Sequence, residues 1–114
     1  MGYDINAGKQ KASIGYCGYL ILMQKAAAKA NPESEPLFED ALSGQDDKWD
    51  KLFDMLPAEI VRFICIDDVD TIPHEIARKF ADILDKLDNM NEREIQVRDV
   101  FRHARRYRAS VHIS

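Results

Sequence analysis

The chain has 114 residues, 46% apolar and 32% charged, with only four prolines and five glycines. That is one domain's worth of globular protein, and it excludes disordered, collagen-like and low-complexity classes. A net charge of −4 and a pI near 5.3 exclude polyanion binding by the surface as a whole.

Residues 1–11 read as polar and irregular, with a short strand allowed at Gly2–Ile5. Lys9 and Lys11 before the apolar run Ala12–Met23 imitate a secretory leader, and small residues follow at 26–30. Lys25 and Lys29, however, sit where a cleavage region is uncharged, and twelve apolar residues are too few to span a bilayer. We read a buried helix from Ser13 to Ala30, apolar on every face at Leu20-Ile21-Leu22-Met23, and expect no membrane partner. Gly2 makes no myristoylation motif, because Asn6 stands where Ser or Thr is needed. Asn31-Pro32 ends the helix, since a residue before Pro leaves the α region.

Pro36–Leu42 predicts a short helix closed by Ser43-Gly44. Asp46 or Asp47 caps the next one, whose Trp49, Leu52, Phe53 and Leu56 form an inward stripe. Pro57 stops it and starts another, in which Ile60–Ile66 fits a strand or a helix and is read as helix from its neighbours. Asp67–Thr71 is a loop. Pro73–Leu87 is a strong helix with an apolar face at Ile76, Phe80, Ile83, Leu84 and Leu87, and favourable pairs Glu75–Lys79 and Asp82–Lys86. The last helix runs from Glu92 to Ala109, and Val111–Ile113 alternates like a strand.

We therefore expect a mainly α fold: a compact bundle of about five helices in a single domain over 1–114. A minor two-stranded sheet forms if Tyr3–Ile5 pairs with Val111–Ile113. The expected core includes Leu20, Ile21, Trp49, Phe53, Phe63, Ile64, Phe80, Leu84, Val100 and Phe101. Cys17 and Cys65 lie in apolar runs and read as buried free thiols in a reducing, cytoplasmic setting, with a single disulfide as the alternative.

Three features could carry function. Asp67, Asp68 and Asp70 supply the oxygen ligands that calcium takes, but Thr71 and Ile72 occupy the region where an EF-hand needs Gly, and no Glu falls at the closing position. The simpler role is for Asp70 or Thr71 to cap the following helix. Second, Arg98, Arg102, Arg105, Arg106 and Arg108 form a solvent-facing arc on the last helix, opposite Val97, Val100, Ala104 and Tyr107. Arginine forks suit phosphate, so nucleic acid is one reading. The other is that the arc is neutralised inside the chain, because residues 33–92 carry seventeen acids against six bases. Third, Asp46, Asp50 and Asp54 stand at i, i+4, i+8, roughly 6 Å apart along a helix. They form either a solvated face or an acidic surface that docks on a basic partner.

The opening Met-Gly-Tyr, the run Ala58–Ile64, the aspartate loop, Ile72-Pro73, the Ile76–Leu87 helix and the closing Ser110-Val111-His112-Ile113 carry a resemblance. They resemble a group of small uncharacterised bacterial and phage-associated proteins that often have Ser-Asp-Cys-Asp-Gly in this loop. Here Val69 and Thr71 replace that Cys and Gly. The resemblance covers about the last 60 residues and the first three, and implies a stand-alone protein of a phage or mobile element with no assigned activity.

Nothing in the chain forms a catalytic motif. His74, His103 and His112 are scattered; there is no phosphate loop, no Gly-x-Ser-x-Gly and no His-Glu-x-x-His. We expect no enzyme and no cofactor. The leading expectation is a small inhibitor or modulator that binds another protein, of the anti-defence kind that phages and mobile elements carry. A nucleic-acid-binding regulator is the alternative, and a second copy of the chain is an allowed partner.

Overall fold

The computed structural model describes residues 2–67 and 69–114, and it corrects the fold class. The described residues form an α+β fold of six helices and a four-stranded antiparallel sheet, not a mainly α bundle with a minor two-stranded sheet. In chain order the elements are β1 (Gly2–Ala7), β2 (Gln10–Gly15), α1 (Tyr16–Ala30), α2 (Ser34–Leu42), α3 (Asp47–Met55), α4 (Ala58–Ile64), β3 (Asp70–Ile72), α5 (His74–Leu84), α6 (Glu92–Tyr107) and β4 (Val111–Ile113). The strand order is β2-β1-β4-β3.

The sheet begins as a hairpin. Ile5, Ala7, Ala12 and Ile14 turn inward while Asp4, Lys11 and Ser13 face water, the period of two that a half-buried strand requires. Gly8 sits at φ +62 and Lys9 keeps a negative φ, which fits the type II′ turn that matches strand twist. Gly2 has to be glycine for a different reason: a Cβ there would stand 2.2 Å from the Ile14 carbonyl oxygen. β1 also pairs with β4, Ile5 opposite Ile113, and Asp4 and Ser114 exchange two backbone hydrogen bonds of 2.9 Å. β3 forms the other edge and takes Asp70 and Thr71 from the segment expected to be loop.

The hairpin takes residues that were expected in the first helix, so α1 starts at Tyr16 rather than Ser13. It is not apolar all round in its packing. Tyr19, Leu22, Met23, Ala26 and Ala27 are buried at helical spacing, whereas Ile21 is 50% exposed. Leu20, Trp49, Phe53 and Ile64 are half-buried. Phe63, Phe80, Leu84, Val100 and Phe101 are buried as expected, and the rings of Phe63, Phe80 and Phe101 meet at 4.1–5.2 Å between centroids. These three rings join α4, α5 and α6, and α6 also packs across β1 and β2. Residues 60–64 are helix, and the helix ends at Cys65.

Several local expectations change with the packing. Cys17 and Cys65 are both exposed free thiols rather than buried ones. Neither Asp70 nor Thr71 caps α5, whose N-cap is Pro73. Lys79 pairs with Glu59 at 3.4 Å, and Asp82 turns to α6 instead of Lys86. Tyr107 is 60% exposed rather than anchoring the last helix. α6 starts with a reciprocal cap: Asn91 Oδ1 accepts from the Glu94 N–H, and Glu94 Oε1 accepts from the Asn91 N–H, both at 2.9 Å. Among the described residues no helix is long and apolar enough to cross a membrane.

Candidate functional site

The arginine arc divides into an engaged part and a free part. α5 and α6 lie side by side, so the end of α5 presents carboxylates to α6. Arg102 Nε donates to Asp85 at 2.6 Å, and Arg105 Nη1 donates to Asp82 and Asp85 at 2.8 and 2.7 Å. Burial pushes the Asp85 carboxyl pKa up, but the bonds from Arg102 and Arg105 outweigh it, and the pKa falls below its ordinary value. Arg98 is half-buried and meets Asp99 at 3.5 Å. Arg106 and Arg108 are exposed and have no ion pair among the described residues. Arg106 lies over the Tyr107 ring, 5.4 Å from its centroid.

The acidic row is different in kind. α2, α3 and the segments beside them carry eight carboxylates from Glu33 to Asp54, against Lys48 and Lys51. Asp46, Asp50 and Asp54 are all exposed, as are Glu33, Glu35, Glu39 and Asp47. Among the described residues, none of these carboxylates makes an ion pair or a side-chain hydrogen bond. α2 packs on α3, and its Glu35 and Glu39 line a groove with Lys25 and Lys29 of α1.

The aspartate loop is held from inside. Asp70 accepts two 2.7 Å bonds from Nη1 and Nη2 of Arg62, and it also accepts from the Thr71 N–H at 2.9 Å. The Arg62 bonds hold its pKa down to about 2, against the opposing effect of burial. Tyr19 donates its hydroxyl to the Phe63 carbonyl, and burial raises the phenol pKa. Asp67 is exposed, and Asp68 lies outside the described residues. No group of three or more His, Cys, Asp or Glu side chains could hold a metal ion among the described residues. Asp70, already saturated by Arg62 and backbone N–H groups, serves the fold.

Sequence reasoning placed Glu94 beside the arginine arc and missed its burial and its partners. Glu94 is 0% exposed, and its Oε1 accepts a 2.8 Å bond from Lys25 Nζ, which also donates to the Asn89 carbonyl at 2.7 Å. The spacing Asn91-x-x-Glu94 is the signal that could have found the cap. Lys25 also lines a groove of about 530 Å³ with Ile21, Lys29, Glu35, Glu39 and Leu87. No family model, no curated protein and no solved structure matches this chain.

Proposed function

We propose that this chain is a small protein-binding module that docks on a basic partner protein through the acidic α2–α3 surface. It would act as an inhibitor or modulator of that partner, in the phage or mobile-element setting that the sequence resemblance suggests. One observation supports this most: Asp46, Asp47, Asp50 and Asp54 are exposed and make no ion pair or side-chain hydrogen bond among the described residues, with Lys48 and Lys51 interleaved on the same stretch. Such a field steers association and selects a cationic surface. The two exposed free thiols favour a reducing compartment, hence the cytoplasm.

The test is a pull-down from nuclease-treated host lysate with the native chain and an Asp46→Lys, Asp50→Lys, Asp54→Lys variant. A partner retained by the native chain, released by added salt and lost in the variant supports the reading. A partner that binds the variant equally well removes the acidic surface from the account.

Exposed Arg106, Tyr107 and Arg108 favour nucleic acid as the second reading. Salt-dependent gel retardation that disappears in an Arg106→Glu, Arg108→Glu variant supports it. Retardation unchanged by that variant counts against it.

A further inference from the structure

The seam between α5 and α6 is a charge ladder with one rung out of place. Asp85 faces Arg102, and Asp82 with Asp85 faces Arg105. On α5 the next residue of that face is Arg78; beyond Arg105 stands Arg108, the residue that caps α6. The third rung thus sets arginine beside arginine. Between them lies a pocket of about 350 Å³ lined by His74, Glu75, Arg78, Ala104, Arg105 and Arg108. Among the described residues Arg78 and Arg108 have no ion pair, and Nε and Nη2 of Arg105 make no hydrogen bond. The one carboxylate on the lining, Glu75, has a side chain 63% exposed and meets His74 Nδ1 at 3.5 Å.

Arg108 adds an independent observation. It caps α6 in the left-handed conformation, at φ 52 and ψ 42, and it is the one non-glycine among the described residues with positive φ. Glycine or asparagine is the usual residue there. This backbone closes the helix, with the Ala109 N–H donating to the Ala104 carbonyl at 2.9 Å, and it leaves the Arg108 side chain exposed at the pocket.

We propose that this pocket binds a phosphate group, either inorganic phosphate or the terminal phosphate of a small phosphomonoester. Three guanidinium groups offer more donors than the two oxygens of a carboxylate can accept, whereas a terminal phosphate has three oxygens. A continuous nucleic-acid backbone fits less well, because running up the seam it would meet Asp82 and Asp85. The pocket lies on other elements than the acidic α2–α3 surface and does not depend on that reading.

The test is calorimetric titration with inorganic phosphate at matched ionic strength. The native chain should bind at one saturable site, and Arg78→Gln and Arg108→Gly should each weaken binding about tenfold or more. Arg108→Gly suits its backbone, so its fold is secure and its melting temperature should not fall. Phosphate binding that is absent, or unchanged in both variants, overturns the proposal. An oligonucleotide with and without a 5′-phosphate distinguishes the sources. Preference for the phosphorylated end assigns the pocket to a terminal phosphomonoester. Equal binding of both, competed by inorganic phosphate, assigns it to free phosphate. Equal binding that phosphate cannot compete, with no saturable phosphate site, overturns it.

Discussion

The α5–α6 seam and the α2–α3 surface are both densely charged, yet their charges do opposite things. In the seam, Arg102 and Arg105 find Asp85 and Asp82 on a neighbouring helix at 2.6–2.8 Å. On α2–α3, Asp46, Asp50 and Asp54 find nothing within reach among the described residues. Both patterns look alike in sequence, as a row of like charges at helical spacing. What separates them is whether another element of the same fold carries the complement. A charged row that meets its complement is part of the structure, and one that does not is available to something outside it.

Removing an engaged charge at its most buried point should hurt most. Glu94 closes the cap of α6 and holds Lys25, with no exposed surface of its own. Glu94→Ala should cost about 3 kcal/mol, because it leaves the Lys25 ammonium and a helix N–H without their partner. Urea denaturation measures this; a loss under about 0.5 kcal/mol, the range of a plain surface substitution, would mean that the pair adds nothing to the fold.

Asp70 is the next engaged charge, and it can be probed by acid. Its folded pKa is about 2, below its ordinary value of 3.8. The stability it contributes is therefore fully present above about pH 4 and is lost as pH falls through 2. That loss should be about 2 kcal/mol in the native chain, and Asp70→Asn should remove this component of the acid transition. If the two acid denaturation curves stay parallel between pH 4 and pH 2, the Arg62 bonds are not holding the loop.

Asp85 sits in a more solvated network, so its effect is smaller. Asp85→Asn removes the negative charge shared by Arg102 and Arg105 and one of its two acceptor oxygens, and should cost about 1 kcal/mol, reduced by salt. A double-mutant cycle with Arg105→Gln should return most of that as coupling. No coupling would make the seam a surface decoration and weaken its contrast with α2–α3.

How much of this was legible in the sequence follows the same division between local and distant. The stripe of Leu52 and Leu56 on α3, and Phe80 and Leu84 on α5, repeat at helical spacing and declare their inward faces without help. The hairpin was obscured because two of its inward residues, Ala7 and Ala12, are small and barely register as apolar. The alternation of Val111–Ile113 announced β4, whereas β3 is three residues long and pairs with β4 some forty residues away, so no local period announces it. The arginine arc was readable as an arc, but its fate depended on Asp82 and Asp85, which only the packing of α5 on α6 brings to it. Lys25 and Glu94 are 69 residues apart, and nothing short of the tertiary fold puts them together.

The smallest expected effect is also the one with the opposite sign. Asp54 lies in the last turn of α3, where a negative charge opposes the helix dipole, and Asp50 stands four residues before it as a like charge. Asp54→Lys relieves both and creates an Asp–Lys pair in the favourable order, so it should stabilise the chain by about 0.5 kcal/mol. Thermal melting should show a small rise, while capture of the basic partner falls. A decrease in melting temperature would mean that Asp54 has a partner inside the fold after all, and the contrast with the seam would fail. If the rise is found, Asp54 is a carboxylate that folding alone disfavours, and its presence is explained by what the surface meets outside the chain.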